Sequence, residues 1–63
     1  MNELIQMADK LVVATGQAMD YARLAGESEQ SLRILAAKYE QAKAEYERLC
    51  HEFGEPLYAT YNA

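Results

Sequence analysis

A chain of 63 residues holds one small domain at most, and a domain of that size leaves much of its surface in water. Ten acidic against six basic side chains give a net charge of −4, which disfavours a phosphate-binding surface, and a single cysteine excludes an internal disulfide and a Cys-rich zinc site. A hydrophobic content of 51% with 25% charged residues is that of a folded chain rather than a disordered tail.

The opening Met1-Asn2-Glu3 carries no positive charge, so no secretory leader is expected there. The longest uncharged run, Leu11 to Met19, contains Thr15, Gly16 and Gln17 and falls far short of the ~20 apolar residues of a membrane span. No lipidation signal is present. A cytoplasmic protein with no membrane partner and a reduced Cys50 is expected.

Apolar residues recur with a helical period, Pro56 is the only proline, and Ala, Leu, Glu, Gln, Lys and Arg abound, so the predicted fold is all-α. A first helix is predicted over about 2–25. Asn2 suits its N-cap, Glu3 its first turn, and Gly26 the left-handed position after its end. Ser28 suits the N-cap of a second helix over about 28–53, which Gly54 and Pro56 stop. The tail, 54–63, is too short for a domain, yet Leu57, Tyr58 and Tyr61 make it unlike a purely solvated end.

In the first helix Leu4, Met7, Leu11, Ala14, Ala18, Tyr21 and Ala25 follow a 3–4 spacing. Leu32, Leu35, Tyr39, Ala42, Tyr46, Leu49 and Phe53 do so in the second. Folding back at 26–28 gives an antiparallel helical hairpin in which these stripes face each other, running from Ala25 against Leu32 to Leu4 against Phe53. The same register also runs unbroken through both segments, which would suit a continuous helix of roughly 75 Å in a coiled coil. The hairpin is favoured because Gly26 and Ser28 fit caps and the acids around them oppose a buried seam.

The second helix has a narrow stripe flanked by charge. The first adds Ala8, Thr15 and Ala22, then Ile5, Val12 and Met19, beside its seam. One partner helix cannot cover so wide an arc, and small helical scaffolds often gain stability by oligomerising. Ile5, Val12 and Met19 are therefore the expected interface, covered by a second copy in a four-helix dimer or by Leu57, Tyr58 and Tyr61 of the tail.

No residues combine into a catalytic, metal or cofactor motif, and an enzyme is not expected. His51 lies on the outer face near a helix C-terminus, where a positive charge is favourable. Cys50, beside the seam, reads as a small buried hydrophobe with no base and orienting group to activate it. The carboxylates form helical pairs: Glu29 with Arg33, Asp20 with Arg23, Glu40 with Lys43, Glu45 with Arg48. Arg33, Lys38, Lys43 and Arg48 recur every fifth residue and so wind around the helix among Glu40, Glu45 and Glu47, which makes nucleic acid a poor partner. Five tyrosines are many for this length and suit either packing or a recognition surface.

Cys50 followed by Phe53-Gly54, with the hairpin plan, resembles the RNA-binding helical hairpins of the ROP type. That resemblance implies a dimeric four-helix bundle. The first helix carries Glu3, Asp9 and Asp20 in place of that family's basic, aromatic RNA-facing surface. The opening MNELIQMADKL, the size and the acidity are similar to small early-region accessory proteins of lambdoid phages, encoded between exonuclease and excisionase. This likeness implies a non-enzymatic regulator acting through a host protein. The leading expectation is a small acidic interaction module, with a ROP-like nucleic-acid binder or a structural coiled-coil piece as alternatives.

Overall fold

The computed structural model describes residues 2–57. Two helices, α1 (Glu3–Leu24) and α2 (Glu29–Glu52), pack side by side as a hairpin with overall extents of 40 × 17 × 14 Å. A single continuous helix would be roughly 75 Å long, so the chain does reverse on itself.

Local chemistry sets both ends of both helices. Asn2 Oδ1 accepts a hydrogen bond from the Leu4 amide at 2.8 Å, and Ser28 Oγ accepts one from the Ser31 amide at 3.2 Å. Each side chain thereby satisfies one amide that the first helical turn leaves free. Both helices end in the same device. Gly26 at φ +74° donates to Arg23 O while the Glu27 amide reaches Ala22 O; Gly54 at φ +65° donates to His51 O while the Glu55 amide reaches Cys50 O. These are Schellman closures, and their left-handed residue disfavours any side chain with a Cβ.

The core is built from Ile5, Ala8, Val12 and Met19 of α1 and Tyr39, Ala42, Tyr46, Leu49 and Cys50 of α2, with Leu35 and Ala36 packed against it. On α2 this is the stripe expected from the 3–4 spacing, except at its two ends, where Leu32 is only partly buried and outside the core and Phe53 is exposed. On α1 it is not. Leu4, Met7, Leu11 and Tyr21, expected to face α2, are exposed, and Ile5, Val12 and Met19, expected to face outward, are buried within the chain. The helix is turned about its axis by one residue's worth of rotation, ~100°.

Volume explains the turn. The α2 seam carries two large rings, Tyr39 and Tyr46. The side of α1 that meets them is lean: Ala8, Val12, Thr15, Gly16, Met19 and Ala22. A Cβ built on Gly16 would lie 3.3 Å from Tyr39 Cε2, so glycine there admits the ring. Thr15 spends its hydroxyl on the carbonyls of Leu11 (2.8 Å) and Val12 (3.0 Å), so it can sit half-buried with its donor satisfied. Had the Leu4 stripe faced α2 in the expected register, Leu11 would have met the Tyr46 ring, a large side chain against a large one.

Candidate functional site

Turning α1 leaves a second apolar stripe in water. Leu4, Met7, Leu11 and Tyr21 are 51%, 60%, 54% and 72% exposed, whereas Ile5 and Val12, each one residue on from a member of that stripe, are at 0%. With Ala14 and Ala18 between them, these residues keep the 3–4 spacing of a helix-packing seam. Exposed leucines scattered singly need no explanation, but an aligned row along one helix face does.

The stripe borders an open groove between the helices. Leu11 and Thr15 line its α1 wall, and Lys38, Gln41, Ala42 and Glu45 its α2 wall, around a volume of about 400 Å³. A further depression near the turn is lined by Ala22, Glu27, Ser31, Ile34 and Leu35. Ile34 is half-exposed and adds apolar surface from α2.

The residues expected at an interface are thus dispersed. Ile5, Val12 and Met19 are covered by the chain's own second helix, which corrects their placement on an outer face. Leu57 is exposed and shares a depression with Glu47, Cys50, His51 and Glu55 at the end of α2. Tyr58 and Tyr61 lie outside the described residues. Gly16 was not singled out from the sequence; an uncapped glycine inside a helical run is the signal that could have marked it as a close-approach point.

Charge is spent locally. All four expected ion pairs are present: Glu29–Arg33 at 2.8 Å, Asp20–Arg23 and Glu40–Lys43 at 3.6 Å, and Glu45–Arg48. Arg48 also holds Glu52 at 2.7 Å. Its guanidinium donates to Glu45 through two nitrogens, and this hydrogen bonding holds the Glu45 carboxyl below the usual carboxylate range while raising Arg48 itself. Lys43 lies over the Tyr39 ring with Nζ 5.4 Å from its centroid, so its stem covers the edge of the core.

Cys50 is buried and His51 exposed, as expected for two neighbours ~100° apart on a helix. Glu55 Oε2 is shielded and takes no hydrogen bond. Among the described residues no group of three or more His, Cys, Asp or Glu could hold a metal ion, and no helix is long and apolar enough to cross a membrane.

Comparison with protein-family models, with curated proteins and with solved structures gives no match for this chain. What the fold and the site define is an all-α helical hairpin with a heptad stripe exposed along its first helix.

Proposed function

We propose that the chain is a small, acidic, non-enzymatic interaction module. It uses the exposed face of α1 as a protein-docking seam, pairing with a second copy into a four-helix bundle. The dimer then presents its remaining helix faces to a further protein and acts by stoichiometric occupancy rather than turnover. An accessory regulator of phage or bacterial origin, working in the cytoplasm, fits this role.

The observation that carries the reading is the aligned exposure of Leu4, Met7, Leu11 and Tyr21. Two further features support it. Four of the six Lys and Arg side chains already hold carboxylates, which leaves little cationic surface for nucleic acid. The one thiol, Cys50, is 1% exposed and so poorly placed to attack a substrate.

The test is a Leu4→Asp/Leu11→Asp double variant beside the parent chain. Both positions face water in the single hairpin, so the variant should keep its helical circular dichroism. It should lose self-association in sedimentation equilibrium and lose proteins that the parent retains from a host extract. A parent that stays monomeric at high concentration refutes the proposal. A mobility shift of nucleic acid at low salt, suppressed as salt rises, would favour the nucleic-acid alternative instead.

A further inference from the structure

The 3–4 spacing makes the exposed stripe symmetric along its length, and its residues are of unequal size: Leu4, Met7 and Leu11 fill one half, and Ala14 and Ala18 lie in the other. Its positions are symmetric about a point between residues 12 and 13: Leu4 mirrors Tyr21, Met7 mirrors Ala18, and Leu11 mirrors Ala14. We propose that the second copy docks α1 antiparallel on α1 about a two-fold axis at that point. Leu11 then meets Ala14 of the second copy, Met7 meets its Ala18, and Leu4 meets its Tyr21. This deepens the proposed function and rests on its claim that a second copy covers the stripe.

Size decides the direction. Antiparallel pairing puts a large side chain against a small one at the four central positions, which fills space evenly. Parallel pairing would stack Leu4, Met7 and Leu11 on their own copies at one end. It would leave Ala14 and Ala18 facing their own copies across a void at the other. A two-fold contact also requires each member to act as both donor and receptor of the same surface, and the mirror spacing provides this.

The second helix obeys the same axis. Leu11 and Thr15 share a groove with Lys38, Gln41, Ala42 and Glu45, so the level of α1 near residue 13 lies beside the level of α2 near residues 41 and 42. A two-fold axis through that level brings Lys38 opposite Glu45 of the second copy. The axis repeats this contact, so two pairs of opposite charge form between the copies. On α1 the two Glu3 carboxylates end up roughly 28 Å apart at 1.5 Å per residue, beyond the ~8 Å over which salt screens them. The opposed helix dipoles add to the preference.

The area suffices. At the observed exposures Leu4, Met7, Leu11 and Tyr21 offer on the order of 500 Å² per copy, so pairing can bury at most roughly 1,000 Å² from these residues, the size at which specific interfaces begin. The flanking alanines, Ile34 and the groove walls add to this.

Engineered cysteines test the geometry, in a Cys50→Ala background checked by circular dichroism. In the proposed register residue 7 of one copy sits level with residue 18 of the other, while the two copies of residue 7 are roughly 16 Å apart along the axis. A disulfide needs Cα atoms within about 7 Å. Met7→Cys/Ala18→Cys should therefore give a covalent dimer on mild oxidation, while Met7→Cys alone and Ala18→Cys alone should not. A covalent dimer from Met7→Cys alone, or a non-covalent dimer that links in no variant, overturns the antiparallel register and leaves the docking reading standing. A monomeric mass for the unmodified chain at high concentration overturns both. As a second measurement, Lys38→Glu should raise the dimer dissociation constant about tenfold through two like-charge contacts, and Lys38→Glu/Glu45→Lys should recover most of it. Failure of that rescue in a dimeric chain also counts against the axis.

Discussion

Val12→Ala and Leu11→Ala, made separately, ask which side of α1 faces α2. Val12 is at 0% exposure and its removal deletes two carbons from the core. At ~0.8 kcal/mol per buried CH₂ the transfer loss is about 1.6 kcal/mol. A cavity contribution brings the expected cost to ~2–3 kcal/mol, because α1 and α2 are held by caps and cannot fully close the gap. A chain of this length has a total stability of ~3–9 kcal/mol, so the melting temperature should fall by roughly 10–20 °C. Leu11 is 54% exposed, and in the dilute single hairpin its truncation should cost under ~1 kcal/mol. The assay is urea and thermal unfolding by far-UV circular dichroism at micromolar concentration, repeated at a hundredfold higher concentration. Dilute, Val12→Ala should be much the worse. Concentrated, Leu11→Ala should become costly as well, since the stripe is then buried between copies. If Leu11→Ala is the more damaging variant under dilute conditions, α1 is turned the other way and the account of the core is wrong.

Gly16→Val should destabilise by ~1–3 kcal/mol, because a Cβ 3.3 Å from the Tyr39 ring and two further methyl groups overfill the contact; equal or higher stability in urea would remove the close approach from the argument. Gly26→Ala should cost about 1–2 kcal/mol from backbone strain alone, since nothing lies within 4 Å of a Cβ there, and Gly26→Asn should cost less by the same unfolding assay. The Glu45 carboxyl titrates below the usual range because Arg48 hydrogen-bonds its charged form, so its contribution is present at neutral pH and lost as the pH falls through the depressed folded value. Glu45→Gln should therefore flatten part of the decline in urea midpoint on acidification, and an unchanged acid slope would show the pair to be inconsequential. The Cys50 thiol, 1% exposed, should react with a thiol reagent only as fast as the chain opens; rapid labelling of the folded protein would contradict its burial.

The comparison of sequence with structure turns on α1. Most of the local structure was legible from residue types, though not the Arg48–Glu52 pair. Asn2 and Ser28 cap because their short oxygens reach nearby amides, Gly26 and Gly54 close the helices because they tolerate positive φ, and four ion pairs form where charges fall three or four residues apart. The α2 seam was legible too, because charge flanks it closely and leaves one apolar face to bury. The excess apolar width of α1 was equally plain.

Which part of that width turns inward was not. The stripe beginning at Leu4 and the stripe beginning at Ile5 share the same 3–4 spacing, so periodicity ranks them equally. Residue size favours the first by hydrophobicity, yet the second is buried. The choice belongs to the partner surface: the two tyrosine rings on α2 pack on the side bearing Ala8, Val12, Thr15 and Gly16, where glycine lets the Tyr39 ring approach the helix closely. Amphipathicity is a property of one helix, whereas complementarity of volume is a property of two, and it exists only once they are packed.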